Sequence, residues 1–92
     1  MELMFSPDAL DDLNYWKQSG AVISHRKIQK ILKSMRTDAC SGVGHPVPLT
    51  GNLSRYWSRR IDKKNRIVYE IFEEEQVINV VSLRGLILTN SY

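Results

Sequence analysis

The stretch from Tyr56 to Phe72, Tyr-Trp-Ser-Arg-Arg-Ile-Asp-Lys-Lys-Asn-Arg-Ile-Val-Tyr-Glu-Ile-Phe, decides the fold. Two runs rich in β-branched and aromatic residues, Tyr56 to Ile61 and Arg66 to Phe72, flank the turn-forming Asp62-Lys63-Lys64-Asn65, which is the pattern of a β-hairpin. A third such run, Gln76 to Leu83, follows the acidic turn Glu73-Glu74-Glu75 and extends the hairpin into an antiparallel meander. Alternate residues of a strand share a face. Tyr56, Ser58 and Arg60 therefore point one way, and Trp57, Arg59 and Ile61 the other. On the next strand Arg66, Val68, Glu70 and Phe72 oppose Ile67, Tyr69 and Ile71, and the apolar trio marks the core face.

What covers that face lies upstream. Leu3 to Phe5 suits a first strand. Ser6-Pro7-Asp8 opens a helix: a serine that can cap, a proline where the first N–H is unpaired anyway, and an acid at the positive end of the dipole. Ala9, Leu10, Leu13 and Trp16 form its apolar stripe, and Gly20 stands where a left-handed cap ends it. A second helix runs from about Val22 to Arg36, with Ile28, Ile31, Leu32 and Met35 on one face. Its other side carries Arg26, Lys27, Lys30 and Lys33, either a solvated surface or a phosphate contact. Residues 37–53 read as a loop, broken by Gly42, Gly44, Pro46, Pro48 and Gly51. The expected fold class is α+β, with an N-terminal strand and a helical hairpin packed on a mainly antiparallel sheet. Residues 1–92 read as a single domain, with 85–92 an atypical tail.

Composition bounds the partners. The 92 residues carry 13 Lys/Arg against 10 Asp/Glu, a net charge of +3. Six basic residues against the single acid Asp62 fall between Arg55 and Arg66, with Tyr56 and Trp57 among them. Concentrated positive charge beside aromatics is the footprint of a polyanion partner, although Lys and Arg also guard solvated sheet edges. The apolar runs are too short to span a membrane, so no membrane role is expected. One cysteine, Cys40, excludes an internal disulfide and makes the reducing cytoplasm the natural location. No metal-ligand spacing is present and no cofactor is expected. Arg66 and one of the Arg59/Arg60 pair can form a cationic concavity on the open sheet face, where guanidinium groups bind phosphate. His45, in the glycine-rich loop, could reach such a site, although a lone loop histidine is more often inert.

Several motifs then resemble the YoeB toxins, a family with the wider RelE-like fold. They are Phe5-Ser6 before an acidic helix start, Tyr15-Trp16, Gly42-Val43-Gly44-His45-Pro46, Pro48-Leu49 and Asn52-Leu53-Ser54. Trp57-Ser58-Arg59-Arg60-Ile61 and Asn65-Arg66-Ile67-Val68-Tyr69 complete the set, so the likeness runs from about Glu2 to Gly85. The resemblance implies the toxin of a type II toxin–antitoxin module and a metal-independent, ribosome-dependent endoribonuclease that cleaves mRNA in the A site. It implies a Phd/YefM-type antitoxin, operator DNA bound only by the toxin–antitoxin complex, and a toxin that commonly dimerises. In such a reaction a glutamate takes the 2′-hydroxyl proton, arginines steady the phosphorane and a C-terminal histidine protonates the 5′-oxygen.

Carried onto this chain, the arginines are Arg60 and Arg66. Arg55, Arg59, Lys63 and Lys64 are the expected RNA contacts. The family's Pro-Glu-Pro-Leu-Lys reads Pro46-Val47-Pro48-Leu49-Thr50 here, so Val47 replaces the general base and Thr50 a lysine. Leu86 and Ile87 take the positions of the acid histidine and its tyrosine neighbour. The resemblance therefore implies a nuclease scaffold with impaired proton transfer. The other readings are a diverged member that uses His45 as an alternative proton carrier and a non-catalytic module that binds antitoxin, ribosome or operator.

Overall fold

A computed structural model describes residues 1–85. Its elements run β1 (Glu2–Phe5), α1 (Pro7–Gln18), α2 (Val22–Thr37), β2 (Val47–Pro48), a single 3-10 turn (Gly51–Leu53), β3 (Tyr56–Arg60), β4 (Arg66–Phe72) and β5 (Val77–Ser82). The sheet order is β1-β5-β4-β3-β2. β3, β4 and β5 form the expected meander, β2 adds antiparallel at one edge, and β1 pairs in parallel with β5 at the other. The architecture is α+β, two helices on a five-stranded mixed sheet.

Local chemistry explains the element ends. Ser6 caps α1, its hydroxyl accepting from Ala9 N at 3.1 Å while donating to Val81 O at 2.8 Å, so one side chain ties the helix start to β5. Gly20 ends the first helical segment at φ +76°, a left-handed conformation that favours glycine. Ala9 and Trp16 are buried and Leu13 packs against the core. Leu10, expected in the same stripe, is instead exposed. Positions 9, 13 and 16 follow the helical period, and Leu10 stands about 100° round from Ala9. On α2, Ile28, Ile31 and Met35 are fully buried and Leu32 partly so. They meet Ile67, Tyr69, Ile78 and Val80 from the sheet.

A bulge in β5 completes the core. Val68 faces Ser82 but Tyr69 faces Val80, so Val81 is an extra residue in the ladder. Strict alternation from Val80 would turn Leu83 outward. The inserted residue returns it to the core, where it is fully buried. Its backbone is held from α1, the Trp16 indole donating to Leu83 O and Leu83 N donating to Asp12 Oδ2, both at 2.8 Å.

The 37–53 segment departs from the loop expected. Val47–Pro48 pairs with Trp57–Ser58 as an edge strand. Pro48 is tolerated because Leu49 N donates to Tyr56 O at 2.9 Å. Alternation then turns the N–H that proline lacks away from β3. The preceding part is tied down as well. Cys40 N and Ser41 Oγ donate to the Asp38 carboxylate at 2.9 and 2.7 Å, and the Tyr69 hydroxyl donates to Ala39 O at 2.9 Å. Glycines and prolines mark where regular structure is hard to make, and here side chains from other elements supply the missing order.

Candidate active site

The face of the sheet away from the helices is built by cross-strand pairing. Arg60 on β3 stands directly opposite Arg66 on β4, and Ser58 stands opposite both Val68 and, on β2, Val47. Directly opposed residues of antiparallel strands share a face, so Val47, Ser58, Arg60 and Arg66 line one surface. The Arg66 guanidinium is steered along it, Nε donating to the buried Ser58 hydroxyl at 2.9 Å. Ser58 thus holds one arginine on the side of Val47. Arg60 is exposed, its Nε 3.3 Å from Asp62 O.

The turn beside them is rigid. The Asp62 carboxylate accepts from Lys64 N and Asn65 N, each at 2.8 Å, from the Asn65 amide and from Ser24 Oγ of α2 at 3.2 Å. Burial pushes the Asp62 pKa up, but those hydrogen bonds together outweigh it and hold the carboxyl below its ordinary range. Lys63 and Lys64 project exposed from this turn. At the far end of β3, the Arg55 guanidinium lies 4.8 Å over the Tyr56 ring, donates to its hydroxyl at 2.6 Å and sits 3.6 Å from Glu70. The hydrogen bond to Tyr56, with the nearby phenol and Glu70 charge, raises the Arg55 pKa. Thr50 is exposed just before the 3-10 turn.

Arg59 is not on this surface, against the expectation that it contacts RNA. It is fully buried on the helix side of the sheet. Nε donates to the Tyr69 hydroxyl at 3.1 Å and Nη1 to Ser34 Oγ at 2.9 Å and Val43 O at 3.2 Å, while Nη2 donates to Asp38 O. The five donors of a guanidinium suit such a junction, and of the Arg59/Arg60 pair it is Arg60 that shares the face of Arg66. The same clamp seats residues 38–44 so that Gly44 O accepts from Arg60 N at 2.7 Å. Gly44 itself sits at φ +90°, where an added Cβ would lie 3.0 Å from Arg59 Cβ. Burial pushes the Tyr69 pKa up, so the phenol stays protonated as donor to Ala39 O.

The chain is brought to the same corner a second time. Arg84 stacks over Tyr15 at 3.6 Å, Gly85 N donates to Asn65 Oδ1 at 3.0 Å, and Arg66 N donates to Gly85 O at 2.8 Å. The described residues therefore end beside Arg66. Leu86 and Ile87 lie outside them. Among the described residues no cluster of His, Cys, Asp and Glu could hold a metal ion, and no helix is long and apolar enough to cross a membrane. Ser58 and Asn65 escaped notice as site residues in the sequence, although Ser58 falls in the same alternating set as Arg60.

Comparison with known proteins matches the model of the YoeB-like toxin of bacterial type II toxin–antitoxin systems over residues 5–85. The Toxin YoeB of Mycobacterium bovis is 41% identical over 71 residues, 77% of this chain and 82% of that protein. The YoeB dimer from Staphylococcus aureus superposes with a TM-score of 0.81 at 33% identity, covering 95% of this chain and 98% of that one. A YoeB–YefM complex from the same organism gives 0.79 at 32% identity, with the same coverage.

Proposed function

This chain belongs to the YoeB-like toxins of bacterial type II toxin–antitoxin systems, and on that premise we propose that it acts in the cytoplasm on mRNA in the ribosomal A site. The reaction is attack of a ribose 2′-hydroxyl on the adjacent phosphate. The observation that carries this reading is the Arg60–Arg66 cross-strand pair with Arg66 anchored on Ser58. Like charges placed directly opposite destabilise a sheet, and a phosphate between them relieves that repulsion. Guanidinium groups fixed before the reaction stabilise the charge that builds on the phosphoryl oxygens. Arg55, Lys63 and Lys64 extend the positive surface along the RNA, and Thr50 stands at its edge where the family has a lysine.

Proton transfer is the impaired part. Val47, on the arginine face at the general-base position, has no group to accept a proton, and Leu86 at the acid position has none to give. Each such group is worth roughly 10²- to 10⁴-fold in rate. A YefM-type antitoxin is the expected partner, operator DNA is bound through that complex, and the toxin dimerises as its Staphylococcus aureus relative does. The measurement is cleavage of ribosome-bound mRNA by this chain and by a Val47→Glu, Leu86→His double variant. The double variant is expected to cut at least 10²-fold faster. Equal rates would refute the impairment. A double variant with no activity would remove the assignment of positions 47 and 86. The apolar side chain of Val47 also favours a second reading, a non-catalytic module that binds antitoxin, ribosome or operator. Tight antitoxin binding by a double variant that never cuts RNA would select it.

A further inference from the structure

The loop that replaces the missing base carries an unused imidazole in an uncommon backbone conformation. His45 sits at φ +53°, between Gly44 at +90° and the β2 strand. The β2–β3 register sets Val47 opposite Ser58, and carried on unbroken it would set His45 opposite Arg60. Arg60 N instead donates to Gly44 O at 2.7 Å. One extra residue is thus fitted between Gly44, bonded to Arg60, and Val47, opposite Ser58, in the two-residue stretch His45-Pro46. A bulge of this kind re-aims the side chain it carries. Left-handed backbone at a residue other than glycine persists only where its surroundings fix it. Here Arg59 holds Val43 O at 3.2 Å on one side, and β3 pairs with Val47 on the other. The imidazole is exposed and makes no hydrogen bond among the described residues.

The Arg60 N–H bonds the carbonyl of the preceding Gly44, Arg59 lies beneath the loop, and Arg26, Lys27 and Lys30 of α2 line a groove with Val43. The acids of the adjoining loop and turn are occupied: Asp38 by Cys40 and Ser41, Asp62 by Lys64, Asn65 and Ser24. Imidazole is the side chain that changes protonation between pH 5 and 8.

We propose that His45 takes the proton from the ribose 2′-hydroxyl in this chain, in place of the absent carboxylate at Val47. The proposal rests on the RNA-cleaving reading above. As the proton passes to the imidazole, the O2′–P bond forms and the P–O5′ bond breaks. The departing 5′-oxygen takes a proton from water, and the hydroxide so formed recovers the proton from the imidazolium. The products end in a 2′,3′-cyclic phosphate and a 5′-hydroxyl.

The test compares this chain with His45→Asn on ribosomes programmed with a defined mRNA, with and without added imidazole. Asparagine accepts left-handed backbone, and an unchanged thermal transition checks the fold; His45→Gln is the substitute where that transition drops. Slow cleavage to cyclic-phosphate ends is expected, falling by about 10²-fold in the variant and partly restored by imidazole. A His45→Asn variant that cuts at the parent rate overturns the proposal. It is also overturned if the parent never cuts while the Val47→Glu, Leu86→His variant does, an outcome that leaves the family reaction standing. If neither cuts, both readings fall together.

Discussion

Replacing Arg59 by methionine tests whether a buried guanidinium, rather than the glycine-rich sequence, shapes the loop beside the site. The methionine fills much of the same volume and removes every donor. The Tyr69 hydroxyl keeps Ala39 O, and Ser34 Oγ keeps its contact with Val43 N at 3.2 Å. Asp38 O and Val43 O lose the Arg59 donors that tie them to the sheet. A partner lost to a buried polar group costs about 1–3 kcal/mol. With two carbonyls released and two hydroxyls half satisfied, the substitution should cost about 3–4 kcal/mol. Urea denaturation followed by tryptophan fluorescence measures it, provided the slope against denaturant is unchanged. Arg59→Lys should recover little, because one ammonium cannot reach acceptors on α2, the loop and β4 together. Arg60→Ala, which removes an exposed side chain, should fall within about 0.5 kcal/mol of the parent. If Arg59→Met costs no more than Arg60→Ala, the clamp is not what holds the loop.

Two further outcomes follow from the same geometry. Asp38, lowered by hydrogen bonds from Cys40 and Ser41, and Asp62, lowered by its turn, both titrate below the ordinary value of 3.8. A depressed folded-state pKa contributes stability that is present above that value and lost as pH falls through the folded one. Acid should therefore loosen the loop and the 62–65 turn below about pH 4, read by hydrogen exchange at the Cys40 and Asn65 amides, whereas unchanged protection down to pH 2 would contradict it. Arg66→Ala should weaken RNA binding and reduce the slope of log affinity against log salt by about 1, while Arg59→Met, measured under folding conditions, should leave the slope alone. Equal slopes for all three proteins would mean that Arg66 does not meet phosphate.

Local signals in the sequence settled the elements and their faces, apart from the β2 edge strand and the side of α1 on which Leu10 stands. Ser6-Pro7-Asp8 before an apolar stripe reads as a helix start, the 28-31-32-35 spacing buries one face, and strand alternation puts Arg60 with Ser58 and Ile67 with Tyr69. These depend on periods of two and 3.6 residues, which need no knowledge of the partner element. The family motifs carried the rest of the reading, because their order survives in this chain. Three things depended on which segment meets which across the fold. Alternation paired Arg59 with Trp57 and Ile61 but could not show that Ser34, Asp38, Val43 and Tyr69 converge to satisfy its guanidinium. Glycines and prolines marked 37–53 as irregular, yet pairing with β3 and the Asp38 and Tyr69 hydrogen bonds ordered it. The bulge at Val81 turned Leu83 inward, a consequence of the β4–β5 register that no run of residues records. Periodicity is written along the chain, whereas a buried cation's partners and a ladder's extra residue exist only once distant segments are packed together.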